Sequence, residues 1–190
     1  MATLADALAE LLTGLDRLEI PYYVGGSVAS TFYGIYRTTN DVDLVANIAP
    51  EQADELAECI GKQFYIDPAT VRSAIARGRA FNVVHLASAY KIDIFPAKRD
   101  AYSQAAFARR AFRELRSLGP EPIECAVATA EDTILAKLEW YRAGGETSER
   151  QWNDLRGIRM VSGAILDYEY LRKWAPYLKV DDLLEQLLAE

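Results

Sequence analysis

The chain of 190 residues, 51% hydrophobic and 26% charged, has the length and composition of one folded domain with at most a small appendage. It contains no apolar run near the roughly 18 residues of a membrane span, and its N-terminus lacks the basic start of a signal peptide, so we expect a cytoplasmic protein with no membrane partner. The net charge of −7 argues against broad nonspecific binding to nucleic acid, and the two cysteines lack the spacing of a metal site.

Hydrophobic spacing and turn residues predict the elements of the first two thirds of the chain. Leucines at helical spacing from Leu4 to Leu18 predict an amphipathic helix that ends before Pro21. Gly25-Gly26 predicts a turn between a short strand and a short helix. The predicted elements from there on are strand 22–24, helix 27–33, strand 41–46, helices 50–62 and 68–77, an antiparallel pair of strands at 81–86 and 90–95, helix 101–108, and one or two strands within 109–127.

The pattern becomes helical after residue 127. Thr129 and Asp132 resemble a capping box in front of a helix at 134–141, and Gly144-Gly145 ends that helix. Three further helices are predicted at about 148–161, 167–174 and 181–189. We therefore expect an α+β core over residues 1–127 and a C-terminal helical region over residues 128–190.

Two carboxylates lie two residues apart on the predicted strand 41–46. Asp41 and Asp43 project from one face of that strand, while Val42 and Leu44 pack on the other face. Neighbouring carboxylates repel each other, and a hard cation such as Mg²⁺ between them relieves the repulsion. Surface strand ends also carry such pairs, so a solvated pair stays open as an alternative.

A third carboxylate, Asp93, lies in an otherwise apolar strand, where an acid is costly to bury without a partner. If that strand neighbours the one bearing Asp41 and Asp43, the three carboxylates converge into a metal site for phosphoryl or nucleotidyl transfer. The alternative is a strand-end charge that pairs with Lys91.

The segment Gly25-Gly26-Ser27 offers a complement to the carboxylates. Glycines let the backbone approach a phosphate closely, and the helix that follows directs its positive end and the Ser27 hydroxyl towards it. A Gly-Gly pair alone predicts only a turn. Its position upstream of the two aspartates, with one short helix between, favours triphosphate binding.

Together these segments resemble a known family. Val24–Ser27, Arg37–Asp43 and Ile92–Asp93 resemble the minimal nucleotidyltransferase pattern of the DNA polymerase beta superfamily. The form Gly-Gly-Ser followed by Arg-x-Thr-x-Asp-x-Asp is closest to the AbiEii-like nucleotidyltransferases, the toxins of type IV toxin–antitoxin systems. The resemblance continues into the helical region, where Ala130–Leu138 and the later pair Arg150 and Asp154 are similar to that group.

The resemblance implies a minimal nucleotidyltransferase fold, with a mixed or antiparallel sheet flanked by helices. It also implies that the protein depends on magnesium, with two ions, and transfers a nucleoside monophosphate from a nucleoside triphosphate. Metal ligation is assigned to Asp41 and Asp43, and metal ligation or general-base catalysis to Asp93. The residues expected to hold the nucleotide are Gly25, Gly26, Ser27, Arg37 and Lys137.

For some residues the sequence leaves a second interpretation open or assigns no role. Lys137 could instead face solvent on its helix and pair with Glu131 or Glu139. Neither Arg150 nor Asp154 has an assigned role. The single histidine, His85, lies in an apolar strand and is interpreted as a core imidazole, so no histidine-based catalytic site is predicted.

Three functions are compatible with the sequence. In the first, a toxin-like enzyme with a cognate antitoxin modifies tRNA, and the window 72–116, with ten basic and three acidic residues, contacts the RNA phosphates. In the second, the same chemistry acts on a small hydroxylated molecule, as in antibiotic nucleotidyltransferases. In the third, a non-catalytic partner protein retains the fold, although the presence of the three carboxylates and of Gly-Gly-Ser argues against it.

Overall fold

A seven-stranded mixed sheet flanked by helices forms over residues 2–190, the part of the chain that the computed structural model describes. The strands are β1 (Tyr22–Val24), β2 (Val42–Ala46), β3 (Phe64–Tyr65), β4 (Phe81–His85), β5 (Lys91–Pro96), β6 (Ala111–Leu115) and β7 (Ile123–Val127). The helices are α1 (Leu4–Arg17), α2 (Gly26–Tyr33), α3 (Ala53–Ile60), α4 (Pro68–Ala76), α5 (Ala101–Arg109), α6 (Ala130–Ala143), α7 (Glu149–Ser162), α8 (Tyr168–Trp174) and α9 (Asp181–Ala189). The predicted α+β class, with a helical C-terminal region, is confirmed.

The strand order is β3-β4-β5-β2-β1-β7-β6. β2 runs parallel to β5 and antiparallel to β1, and β1 runs parallel to β7. The pairing of β4 with β5 is antiparallel, as the sequence predicts. One row of the sheet therefore aligns Asn82 with Asp93, and Asp93 with Asp43, so these three side chains share a face.

Alternation along the central strands separates the core from that polar row. Val42, Leu44 and Ile92 are fully buried, whereas Asp43 and Asp93 on the opposite face are partly exposed. The leucine face of α1 is buried in the same apolar cluster as the central strands. A second buried cluster joins part of α5 to the four C-terminal helices.

Several predicted boundaries shift in the structure. The helix predicted over 50–62 divides into a 3-10 helix at Pro50–Gln52 and α3, and the two-residue strand β3 was not predicted. α6 begins four residues earlier than predicted, at Ala130. The Thr129 hydroxyl accepts from the Asp132 N–H and donates to the Asp132 carboxylate at 2.8 Å, in place of a capping box's reciprocal bond from the N-cap backbone.

A further 3-10 helix at Gly163–Ile165 was also not predicted. Over residues 2–190, every helix is too short or too polar to cross a bilayer.

Candidate active site

The two strand carboxylates lie side by side at the centre of the sheet. Asp43 on β2 is in register with Asp93 on the adjacent parallel strand β5, while Asp41 is exposed just before β2 begins. Burial raises the pKa of Asp43, and the nearby Asp93 carboxylate raises it further. The ionised form of Asp43 is therefore disfavoured in the free protein, and a cation bound here would stabilise it.

Asp93 pairs with Lys91, the alternative partner that the sequence suggests for it. Lys91, two residues away on the same face of β5, donates a hydrogen bond from Nζ to Asp93 Oδ2 at 2.7 Å. This hydrogen bond raises the pKa of Lys91. Lys91 is about half exposed, so the pair is a surface contact that another cation could displace.

As the side chains stand, no group of three or more His, Cys, Asp or Glu within residues 2–190 is arranged to hold a metal ion. The reasons are local: Asp93 is engaged with Lys91, and Asp41 lies outside the strand. The donor chemistry nevertheless fits Mg²⁺, because aligned carboxylates on neighbouring strands supply the oxygen ligands that this ion prefers.

The Gly-Gly turn packs directly on Asp43. Gly26 has φ +54°, and a Cβ placed there would lie 1.8 Å from Asp43 Oδ2, so both the backbone conformation and the space require glycine. The Gly25 N–H donates to the Asp43 backbone carbonyl at 2.9 Å. The N-terminus of α2 thus begins against the carboxylate row, where the Ser27 backbone N–H interacts with the Asp43 carboxylate.

Three charged side chains form a network next to this turn. Asp154 on α7 accepts two hydrogen bonds from Arg37, at 2.7 and 2.8 Å, and one from Lys137 Nζ at 2.8 Å. Arg37 also donates to the Ser27 hydroxyl at 2.7 Å, and the Ser30 hydroxyl lies 3.4 Å from Asp154. The network therefore ties the loop before β2 to α2, α6 and α7.

The pKa values of the three network residues reflect both their burial and their mutual hydrogen bonds. Burial alone would raise the pKa of Asp154, but the hydrogen bonds from Arg37 and Lys137 outweigh it and lower that pKa to about 2. Burial lowers the pKa of Lys137, and the Asp154 contact opposes this shift. The hydrogen bond to Asp154 raises the pKa of Arg37.

The network shows which of the two environments considered for Lys137 is present. Its side chain is only 10% exposed and bonds to Asp154, so the alternative of a solvent-facing lysine that pairs with Glu131 or Glu139 does not hold. Asp43 is also close enough to Lys137 for the lysine's charge to act on its pKa. The nucleotide-binding residues proposed from the sequence, Gly25, Gly26, Ser27, Arg37 and Lys137, thus lie in or beside one polar site with Asp43.

No protein-family model matches the chain, and no curated protein matches it. Solved structures do. The antibiotic-resistance factor ANT(2'')-Ia is similar with a TM-score of 0.52 at 17% identity, over 94% of this chain and 93% of that one. A nucleotidyltransferase-like antigenic protein from Paracoccidioides brasiliensis gives a TM-score of 0.56 at 19% identity, over 100% and 96% of the two chains.

A second structure of ANT(2'')-Ia, in complex with adenylyl-2''-tobramycin, gives a TM-score of 0.51 at 15% identity, over 91% of this chain and 95% of that one. This chain has the nucleotidyltransferase fold.

Within this nucleotidyltransferase fold, Asp154 is the site residue that sequence reasoning left without a role. Its resemblance to a family Arg/Asp pair marked the position, but its partners lie far away in the chain. Arg150, the other member of that pair, is exposed at the start of α7. His85 is 2% exposed, with Ser88 at 2.7 Å and Glu10 at 3.3 Å from its ring nitrogens, as a core imidazole should be.

Proposed function

We propose that this protein is a Mg²⁺-dependent nucleotidyltransferase, which transfers a nucleoside monophosphate from a nucleoside triphosphate to a hydroxyl group of tRNA as a toxin-like enzyme. The observation that supports this proposal best is the packing of Gly26 on the Asp43 carboxylate, in register with Asp93. This packing brings a turn that is suited to bind phosphate into contact with a carboxylate pair that is suited to bind a cation. Sequence resemblance supports the AbiEii-like group.

In this proposal Asp41, Asp43 and Asp93 hold two magnesium ions. Bound magnesium would lower the pKa of the attacking hydroxyl and stabilise the leaving pyrophosphate. The N–H groups of Gly26 and Ser27 donate to the triphosphate at the start of α2. Release of Asp93 from Lys91 frees its carboxylate to ligate metal or to accept the proton of the acceptor hydroxyl.

The two cations of the network neutralise the phosphates. Arg37 already contacts the Ser27 hydroxyl, so a phosphate at that hydroxyl lies within reach of its guanidinium. Lys137 is buried against Asp154 and lies close enough to Asp43 for its charge to act there. Since Lys137 and Asp154 belong to the segment 128–190, the proposed site combines the nucleotidyltransferase core with the helical region.

The second candidate function is transfer to a small hydroxylated molecule. It is favoured by the likeness in fold to ANT(2'')-Ia, whose structure holds adenylyl-2''-tobramycin. The net charge of −7 suits a cationic acceptor of that type. A non-catalytic protein that retains the fold is the third candidate, and the intact carboxylate row argues against it.

One transfer experiment separates these candidates. The protein is incubated with Mg²⁺ and each labelled nucleoside triphosphate, with total tRNA, protein extract or aminoglycosides as acceptors. Label on tRNA supports the first function and label on an aminoglycoside the second. Absence of transfer, together with absence of Mg²⁺-dependent triphosphate binding, would refute both enzymatic functions.

The toxin-like role has its own test in cells. Expression of the chain without a cognate antitoxin should slow growth, and the Asp43→Asn variant at equal abundance should not. Equal growth inhibition by the two proteins would show that any toxicity is independent of the proposed site.

A further inference from the structure

An exposed tryptophan lies on α6, the helix that also carries Lys137. Trp140 is 57% exposed. The other two tryptophans belong to the C-terminal helical cluster, where Trp152 is buried and Trp174 is partly buried. A single exposed aromatic residue is common on protein surfaces, so its position decides what it indicates.

A contact with Phe95 places Trp140 on the sheet. The two ring centroids are 6.0 Å apart and the ring planes meet at 71°, which is an edge-to-face contact. Phe95 follows Asp93 by two residues on β5, so the two side chains share a face of the sheet. That step along the strand corresponds to about 7 Å. Trp140 therefore lies on the face that carries Asp43 and Asp93.

The path of α6 crosses this face of the sheet. The helix begins just after β7, whose end is tied to β1 by a hydrogen bond of 3.0 Å from the Ala128 N–H to the Val24 carbonyl. Further along, Lys137 lies close to Asp43 on β2, and Trp140 contacts β5. From Lys137 to Trp140 the helix advances about 4.5 Å, which matches the spacing of about 4.8 Å between neighbouring strands. α6 thus brings a cation next to β2 and an indole next to β5.

The strand order separates three directions around the carboxylates. The Gly-Gly turn, where the triphosphate is proposed to bind, follows β1 and packs on Asp43 from that side. Asn82 on β4 continues the row beyond Asp93, and an acceptor hydroxyl would approach from there, opposite the leaving pyrophosphate. The third direction runs along β5 towards Phe95 and Trp140. One ribose separates the base of a nucleotide from its α-phosphate, which suits the step of about 7 Å from Asp93 to Phe95.

We propose that Trp140, supported by Phe95, stacks on the base of the nucleoside triphosphate. Because it names the subsite for one part of that substrate, this inference rests on the proposed nucleotidyl transfer. Every nucleobase has an aromatic face, so an indole platform accepts all four bases. Trp140 therefore contributes affinity for the nucleoside and does not by itself select a base.

A structural role for Trp140 is the competing explanation. The indole would then only anchor α6 on the sheet through Phe95. In that case its removal would displace Lys137 on the same helix, and every ligand with phosphate groups would bind more weakly. A stacking role affects only ligands that contain a base. Inorganic tripolyphosphate, which has the phosphates but no nucleoside, separates the two explanations.

The test measures binding without an acceptor. The affinities of ATP, GTP, CTP, UTP and tripolyphosphate, each with Mg²⁺, are measured by isothermal titration calorimetry for the wild type, Trp140→Ala and Trp140→Phe. The matched control is Phe112→Ala, which removes an aromatic side chain that is 64% exposed on β6, four strand positions away from β5. Thermal unfolding followed by circular dichroism checks the fold of each variant.

We expect Trp140→Ala to bind the four nucleoside triphosphates about tenfold more weakly and tripolyphosphate as the wild type does, because only base stacking is lost. Trp140→Phe keeps an aromatic face and should recover most of this affinity, and Phe112→Ala should match the wild type. Unchanged affinity for the nucleoside triphosphates in Trp140→Ala would overturn the inference, as would an equal loss of affinity for tripolyphosphate.

Intrinsic fluorescence supplies a second measurement, which does not depend on the folding of Trp140→Ala. Stacking of a base on the exposed indole should quench part of the wild-type tryptophan emission, whereas tripolyphosphate should not. Trp140→Phe should lose this response. Quenching of the same size in Trp140→Phe as in the wild type would overturn the inference.

Failure of the base subsite is distinguishable from failure of the proposed function. If the wild type and Trp140→Ala bound the nucleoside triphosphates equally, the subsite would be refuted while nucleotidyl transfer stood. If Trp140→Ala bound them normally but needed more tRNA or aminoglycoside for half-maximal transfer, the indole would belong to the acceptor site, which also refutes the subsite. If the wild type bound neither nucleoside triphosphates nor tripolyphosphate with Mg²⁺, both proposals would be refuted.

Discussion

Replacing Asp154 by asparagine perturbs the buried network at its centre. The Asp154 side chain is 8% exposed and is the shared acceptor for Arg37 and Lys137. Asparagine keeps the size of the side chain but removes its charge. Both cations then lose their ionic partner, and Lys137 has little access to water.

The size of the effect follows from that burial. Breaking a buried ion pair by removing one partner costs about 3–5 kcal/mol, because the remaining charge stays buried without compensation. Arg37 is partly exposed, so most of the loss should come from Lys137. For a chain of this length, each kcal/mol lowers the melting temperature by about 2–4 °C. We therefore expect a decrease of roughly 6 to 20 °C at neutral pH.

The same network predicts a dependence on acid. The pKa of Asp154 is lowered to about 2 from an ordinary value of 3.8. A depressed carboxyl pKa stabilises the fold above the ordinary value, and this stabilisation is lost as the pH falls from about 4 towards 2. The difference corresponds to about 2 kcal/mol. The Asp154→Asn variant should lack this part of the acid sensitivity.

Thermal and urea unfolding, followed by circular dichroism between pH 2 and pH 7, measures both effects. Asp182→Asn is the control, since that acid is exposed and pairs with Arg142 on the surface, and it should unfold like the wild type. Replacing Lys137 by methionine in the Asp154→Asn background should recover part of the loss. If Asp154→Asn unfolded like the wild type, or if Lys137→Met brought no recovery, the reasoning on the network would be refuted.

Two further substitutions test the turn and the carboxylate row. Gly26→Ala should destabilise the protein by at least about 1 kcal/mol and impair nucleotide binding, because its Cβ would clash with Asp43. The control is Gly145→Ala, which also has a positive φ but has open space around it. This control should lose stability but keep nucleotide binding. Unimpaired nucleotide binding in Gly26→Ala would show that the turn is not part of the site. Lys91→Ala should lower the Mg²⁺ concentration needed for half-maximal transfer, because Asp93 loses its competing cation; an unchanged or higher requirement would contradict the proposed role of Asp93.

Much of the fold was predictable because the signals were local. The leucine face of α1, the glycine end of α2 and the alternation of β2 each lie within a few residues, and the structure has these elements within one or two residues of prediction. The elements that were missed are short: β3 spans two residues, too few to show a period. Its formation depends on pairing with β4, which a local pattern does not reveal.

The aspartates and the Gly-Gly turn of the site were predictable from the sequence, but the role of Asp154 beside them was not. Asp41, Asp43 and the Gly-Gly turn occupy one stretch of chain, so their spacing alone indicated chemistry. Asp154 pairs with Arg37 across 117 residues of sequence, a contact made by the packing of α7 against α2. Apart from the family resemblance that marked the position, the residues next to Asp154 do not distinguish it from a solvent-facing helical acid.

From the sequence, the alignment of Asp43 with Asp93 could be stated only as a condition, namely that their two strands are neighbours. It depends on the parallel pairing of β2 with β5, which are connected through five intervening elements that include β4. Parallel pairing over such a separation is not specified by residue patterns in either strand. The engagement of Asp93 by Lys91 was the alternative offered by the sequence, and it coexists with that alignment.

A comparison of transfer activity with stability shows whether Asp43 belongs to a catalytic site or to a structural one. Nucleotide transfer and the free energy of unfolding are measured for the wild type, for Asp43→Asn and for Asp16→Asn, an exposed acid of α1. Because the pKa of Asp43 is raised by burial and by Asp93, its ionised form destabilises the fold as the pH rises, so asparagine should leave stability at neutral pH equal or higher. We expect Asp43→Asn to keep its stability while transfer falls about a thousandfold or more, with Asp16→Asn unchanged. Full transfer activity in a folded Asp43→Asn variant would contradict a catalytic role of Asp43.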